Sequence, residues 1–323
     1  MSEPSGQTDE RRSESPLQLE TLPHNLLILL GPTGSGKSDL AESLAGEVGG
    51  ELVSCDSVQV YRRFDIGAAK TPAHLVDIVE PGALFTAGDY ARVARETLRS
   101  IAARGRLPIV VGGTGFYLRA LLHGLFEGPE RNEDLRLRLA ERERRRPGSL
   151  HRILSRFDPE SAARIHVNDV NKTLRALEVC LLAQRPLSEL FRTGSAPLVG
   201  FRIIKVGLNP PRDALYAKLD QRFLRMVQTG LLEEVRRILA AGVSPGAKPF
   251  ESLGYKQALA VVLGEMSLER AIASAQMETR RYAKRQMTWF RREPGVTWFR
   301  GFGDCPDVRR QILEFVQRSF EPA

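Results

Sequence analysis

The chain has 323 residues, 42% of them hydrophobic and 27% charged, with a formal net charge of +8. This length buries a full core and excludes a disulfide-stapled miniprotein, and no apolar run approaches the roughly 18–20 residues that span a bilayer, which excludes a membrane protein. The basic balance suits a polyanionic partner without requiring one, since many basic proteins bind no nucleic acid.

Residues 1–23 are rich in Ser, Glu, Pro and Gln, lack apolar periodicity, and read as a disordered leader. No secretory signal is visible in that polar stretch, so the expected location is cytoplasmic. Leu26–Leu30 is a short apolar run stopped by Gly31-Pro32, the pattern of a fully buried parallel strand. A glycine-rich turn, a helix over about Lys37–Val48, a strand over Glu51–Cys55, a helix over Ala87–Arg104 and a strand over Pro108–Val111 follow. Such alternation over the first 120 residues predicts one half of a doubly wound α/β sheet. From about Leu121 to Ser195 the segments are helical, dense in Arg and Glu, and broken at Pro129, Pro147-Gly148 and Pro159, which predicts an inserted all-helical subdomain. Strand character returns over Phe201–Leu208. Long helices are then expected over about Pro211–Ala241, Gly254–Leu263 and Leu268–Arg292, a strand over Val296–Phe299 and a last helix over about Asp307–Gln317.

Gly31-Pro32-Thr33-Gly34-Ser35-Gly36-Lys37-Ser38 satisfies GxxxxGK[ST] between a predicted strand and a predicted helix, the context that pattern requires. Glycines let successive backbone N–H groups converge on phosphate oxygens, Lys37 neutralises charge, and the Ser38 hydroxyl can ligate Mg²⁺. The fold class is therefore a P-loop NTPase-like parallel sheet core flanked by helices, residues 24–120 plus 196–323, with residues 121–195 inserted. The motif identifies a polyphosphate but not whether it belongs to a nucleotide.

Asp56 follows the second strand at the carboxyl edge of the sheet, where ligands of such sheets bind. If the first two strands are neighbours, about 4.8 Å apart, it reaches a group over the loop as a general base or an indirect Mg²⁺ ligand. The alternative is a turn aspartate capping Ser57 or Val58. Three cysteines, Cys55, Cys180 and Cys305, have no metal spacing and fit a reducing compartment. Cys55 is a poor nucleophile candidate without a partnered histidine, and His74 reads as structural. Gly112-Gly113-Thr114-Gly115 ends at the same edge, either presenting backbone amides and the Thr114 hydroxyl to substrate or making only a tight turn. Near the C-terminus Arg281, Lys284, Arg285, Thr288 and Arg292 share a helix face, with Tyr282, Gln286 and Trp289 close by. That face suits phosphates, with aromatics free for base stacking or core packing.

Taken in order, the phosphate loop, Ser54–Tyr61, Asp65–Lys70, His74–Ile78, Val111–Tyr117, Asp158-Pro159, Ala162–His166, Asn168-Asp169, Arg175–Val179, Gln221–Phe223, Gly254-Tyr255 and Lys284–Arg291 resemble the tRNA dimethylallyltransferases. The resemblance runs from about residue 25 to 300 and implies transfer of a dimethylallyl group from dimethylallyl diphosphate to N6 of the adenosine next to the anticodon, position 37 of tRNA. It implies Asp56 as the base, Lys37 and Arg222 on the departing diphosphate with residues 31–38 and Mg²⁺ at Ser38, and a monomer acting on the anticodon stem-loop. It further implies RNA contacts from the helical insert and at Asp56-Ser57-Val58-Gln59, Thr114, Arg136, Asn171-Lys172-Thr173-Leu174-Arg175, Glu251-Ser252-Leu253-Gly254-Tyr255-Lys256 and Lys284-Arg285-Gln286-Met287-Thr288-Trp289-Phe290-Arg291. Two departures stand out: Ala68 replaces a frequent Thr, and the stretch from Lys70 to His74 is short. No zinc-finger spacing follows Arg300, as in the compact bacterial type. The loop alone would equally serve a small-molecule kinase, and loop plus Asp56 an adenylate prenyltransferase.

Overall fold

The computed structural model describes residues 23–126, 128–192 and 196–320. Of the leader expected over residues 1–23, all but Pro23 lies outside these, as do residues 193–195 at the end of the expected insert.

The chain enters through β1 (His24–Leu30), α1 (Lys37–Val48), β2 (Gly50–Ser54), α2 (Ala87–Ala103), β3 (Leu107–Val111) and α3 (Gly115–His123). Every residue of Leu26–Leu30 is at most 2% exposed, because the two faces of β1 alternate into two cores. Leu26, Ile28 and Leu30 pack with residues of α2 and α3 such as Tyr90, Leu98 and Leu121. Leu27 and Leu29 pack with Leu40 and Leu44 of α1. A capping box starts α2: Thr86 Oγ1 accepts from the Asp89 amide and Asp89 Oδ2 from the Thr86 amide.

After α3 come α4 (Glu133–Arg145), α5 (Ser149–Phe157), α6 (Pro159–Arg164), α7 (Val170–Ala183) and α8 (Leu187–Arg192). They share an apolar cluster of their own around Leu139, Leu150, Leu154 and Leu177. Pro159 opens α6 at a position that needs no N–H, and Asp158 Oδ1 accepts from the Ser161 amide at 3.0 Å. Buried Glu178 accepts from Arg175 at 2.7 Å, Arg136 at 3.0 Å and the Asn132 amide at 2.8 Å. Burial pushes its carboxyl up, but those hydrogen bonds outweigh burial and hold it below the usual range. Arg136 and Arg175, expected on RNA, are thus also the internal braces of this unit.

The chain returns through β4 (Phe201–Leu208), α9 (Arg212–Gln228), α10 (Leu231–Ala240), α11 (Tyr255–Val262), α12 (Leu268–Phe290), β5 (Val296–Phe299) and α13 (Pro306–Phe320). The continuous helix expected over Pro211–Ala241 is two, because Gly230 sits at φ 102°, a conformation no helix interior holds. A short 3₁₀ turn over Lys248–Glu251, unsignalled in the sequence, precedes α11.

Among the described residues the sheet is five-stranded and parallel, in the order β2-β3-β1-β4-β5. This corrects the assumed neighbourhood of the first two strands: β3 lies between them, with Leu27 opposite Ile109 and Ile109 opposite Leu52. The short Lys70–His74 stretch leads back to the sheet edge, where the His74 amide donates to Leu52 O at 2.8 Å and His74 O accepts from the Ser54 amide at 2.9 Å. His74 Nε2 lies 2.7 Å from Glu51 Oε2, a structural pairing.

Candidate active site

The turn from β1 to α1 brings the phosphate loop to the carboxyl edge of the sheet. Gly34 and Gly36 hold φ of 78° and 80°, the left-handed region that glycine adopts without steric cost. Both are tightly backed: a Cβ on Gly34 would sit 2.7 Å from Leu219 of α9, and one on Gly36 2.8 Å from the Asp304 amide. The Gly303 amide donates to Ser35 O at 2.8 Å, so the segment after β5 braces the loop from outside. Sequence reasoning missed that brace, since nothing in Gly301–Asp304 marks a partner more than 250 positions away.

Lys37 is 9% exposed and its Nζ donates to Pro32 O at 2.7 Å. Burial first, then the charge of Arg222, lower its pKa to about 7 against the opposing pull of Asp56. Arg222 reaches in from α9 and donates to Thr33 Oγ1 at 3.2 Å. Lys37, Arg222 and Asp56 therefore share one electrostatic neighbourhood, although β3 separates the strands that carry the first and last.

Asp56 Oδ1 accepts from the amides of Val58 at 2.8 Å and Gln59 at 3.3 Å. The capping reading of this residue is thus correct for one oxygen, while Oδ2 accepts no hydrogen bond among the described residues. Close by, Tyr282 has its phenol raised to about 12, by burial and then by the Asp56 charge. Burial pushes the Cys55 thiol up to about 12, which removes it as a nucleophile at neutral pH. The expectation that the 112–115 turn offers its amides to substrate needs correction at Thr114, whose amide donates to Cys55 O at 3.2 Å. Its hydroxyl accepts from the Ser57 amide at 3.1 Å, tying the turns after β2 and β3 together. A Cβ on Gly112 would lie 2.1 Å from Cys55 O, so only glycine permits that approach.

Helix α12 carries the expected basic face outward, with Arg281, Lys284, Arg285 and Thr288 exposed and Met287 half-buried. The helix ends at Phe290 rather than Arg292, so the exposed Arg291 and Arg292 extend that face from the turn after it. Trp289 is 40% exposed and lies over Gly115, where a Cβ would meet its ring at 2.5 Å. Phe116, on the next residue, is 52% exposed, a second aromatic at this edge that the motif reading left without a role.

Several positions expected on RNA are instead interior. Phe290, Thr173 and Leu174 are buried, and Gly254 is enclosed with Tyr255. The Tyr255 hydroxyl donates to Glu234 and accepts from the Gly67 amide at 3.1 Å, while Glu234 Oε2 accepts from the Ile66 amide at 2.9 Å. Tyr255 thus shapes the Asp65–Lys70 turn rather than the outer surface. Ala68 contributes its carbonyl, which accepts from Gln59 Nε2 at 3.2 Å. Asn171, Lys172, Glu251 and Lys256 are exposed, and Ser252 and Leu253 are half-buried.

A donor set for Mg²⁺ exists but is small. Ser38, half-exposed in the first turn of α1, offers one hard oxygen, and no cluster of three or more His, Cys, Asp or Glu able to hold a metal occurs among the described residues. Such a site suits an ion that keeps waters and takes its remaining oxygens from a phosphate ligand. Among the described residues no helix is long and apolar enough to cross a membrane.

A phosphate loop, a carboxylate and a basic helix on a P-loop-like parallel sheet define a class, that of group-transfer enzymes handling a phosphorylated donor. A family model described as IPP transferase matches residues 59–293. A tRNA dimethylallyltransferase of Solibacter usitatus is 58% identical over 301 residues, 91% of this chain and 98% of that protein. The crystal structure of the full-length tRNA isopentenylpyrophosphate transferase of Bacillus halodurans is similar with a TM-score of 0.67 and 36% identity, covering 91% of this chain and 96% of that one. At 24% identity, a eukaryotic dimethylallyltransferase caught acting on tRNA shares the fold with a TM-score of 0.77, covering 93% of this chain and 80% of that one. The chain belongs to the IPP transferase family, the prenyltransferases to which the tRNA dimethylallyltransferases belong.

Proposed function

We propose that this enzyme transfers a dimethylallyl group from dimethylallyl diphosphate to N6 of the adenosine next to the anticodon, at position 37, and releases diphosphate. The carrying observation is the meeting of Lys37, Arg222 and Asp56 at one sheet edge beside the outward basic face of α12. The loop amides, Lys37 and Arg222 bind the diphosphate. Mg²⁺, held by Ser38 and phosphate oxygens, would add positive charge against the leaving group. The exocyclic amine is a weak nucleophile, because its lone pair is delocalised into the purine ring. Positioning and leaving-group neutralisation therefore carry much of the barrier. As the N6–C1 bond forms and the C1–O bond breaks, the departing electron pair stays on the diphosphate and the N6 proton passes to Asp56 Oδ2. A target base already in a loop costs little to unstack.

Purified protein incubated with labelled dimethylallyl diphosphate and unmodified tRNA should transfer label to RNA without ATP. Label reaching an acceptor only from ATP would overturn this reading in favour of a kinase, and labelling of free adenylate but not RNA would favour a nucleotide prenyltransferase. Binding of the anticodon stem-loop should weaken steeply with salt. Lys284→Ala and Arg285→Ala, at exposed positions, should each reduce the slope of log affinity against log salt by about one. An unchanged slope would remove α12 from the RNA surface.

Lys37 gives a protonic signature. With a pKa of about 7 it is mostly neutral at pH 8, and an incoming diphosphate restores its charge. Titration calorimetry with dimethylallyl diphosphate, without RNA, in two buffers of different ionisation enthalpy should therefore detect uptake of about one proton at pH 8. Affinity should fall as pH rises above about 7. Binding without proton uptake would contradict the buried, depressed lysine.

A further inference from the structure

We propose that Gln286 is a positioning residue for the leaving-group loop, a strut between helix α12 and the loop rather than an RNA contact; this rests on the function proposed above. Along α12, Tyr282, Gln286 and Phe290 recur every four residues and form its inward stripe, opposite Lys284, Arg285 and Thr288. Gln286 is 6% exposed, so its amide has no route to a macromolecule outside. Both ends of that amide are engaged: Oε1 accepts from the Thr33 amide at 2.8 Å, and Nε2 donates to Gly113 O at 2.8 Å. One side chain therefore fixes the phosphate loop after β1 to the turn after β3, the two sheet-edge turns that frame the site. Arg222 of α9 donates to the hydroxyl of the same Thr33 at 3.2 Å, so α9 and α12 both hold this loop residue.

The chemistry demands a carboxamide. A loop N–H needs an acceptor and a turn carbonyl needs a donor, at opposite ends of one short group, without added charge beside the diphosphate. Gly113 is matched to it, since a Cβ there would lie 2.3 Å from Gln286 Nε2. The strut can thus be broken from either side, by Gln286→Ala or by Gly113→Ala, which pushes the amide aside.

Each variant should weaken dimethylallyl diphosphate binding by about tenfold, the order expected when the strut's buried hydrogen bonds are lost, and lower kcat similarly, while stem-loop affinity stays within about twofold. Gln286→Glu, which retains the acceptor and loses the donor, should fall with them. The double variant Gly113→Ala/Gln286→Ala should be no worse than the poorer single, because both remove one interaction. Diphosphate affinity unchanged in either single, additive losses in the double, or a selective loss of stem-loop affinity would each overturn the proposal. If Gln286→Ala does not fold, Gly113→Ala carries the same measurements. Parent protein that binds no dimethylallyl diphosphate would instead defeat the functional reading.

Discussion

Asp56→Asn is expected to lower kcat by about 10²–10⁴-fold, the range for loss of a positioned general base, with stem-loop and diphosphate binding retained. The substitution is close to isosteric, and the amide oxygen still accepts from the Val58 and Gln59 amides that fix the turn. What disappears is the proton acceptor at the second position. Single-turnover kinetics with saturating RNA and prenyl diphosphate separate the chemical step from binding. A deep loss of rate with both affinities intact assigns Asp56 to proton transfer. Equal loss of rate and binding would make it a turn residue only. Because the Asp56 charge also draws the Lys37 pKa upward, its removal should leave that lysine still more neutral in the free enzyme and enlarge the proton uptake at pH 7.

The second large effect is expected from Lys37→Met. Removing the cation proposed to face the departing diphosphate should cost about 10²–10³ in kcat, as for one preorganised charge-stabilising donor elsewhere, and should weaken diphosphate binding. RNA binding, which the proposed function places on α12, should not change. Stability moves the opposite way, and its sign follows from linkage. The lysine titrates near 10.5 when unfolded and at about 7 when folded, so between these values the unfolded chain binds more protons and stability rises with pH. The burden of the buried ammonium is thus fully present below about 7 and fades towards 10.5. Lys37→Met should raise Tm over the parent at pH 6, by a margin that shrinks at pH 9, a trade of stability for function common at active sites. A Tm gain independent of pH, or a variant of full activity, would show that the lysine is not the charged partner of the substrate.

Legibility followed range. Local signals read well: the Leu26–Leu30 run, the glycine loop and the helix from Lys37 to Val48 each carry their own periodicity or cap, and the structure has β1 at His24–Leu30 and α1 at Lys37–Val48. Strand order was not legible, because β3 enters between β1 and β2 through contacts that no local pattern encodes. The same is true of the site's scaffolding. Arg222 to Thr33, Gln286 to Thr33 and Gly303 to Ser35 each join residues far apart in sequence. Family resemblance singled out Arg222 but gave Gln286 only within a run, and within a helical run every third or fourth residue faces inward. Burial is what separates Lys284 and Arg285 from Gln286 and Phe290, and Lys172 from Leu174.

The most direct test is mass spectrometry of tRNA nucleosides from cells with and without this protein, and from deleted cells complemented with Asp56→Asn. N6-dimethylallyl adenosine, or a product built on it, should be present only with the unaltered protein, and the adenosine next to the anticodon should be unmodified in the other two. The same prenylated adenosine in all three would contradict the transfer of the prenyl group by this enzyme.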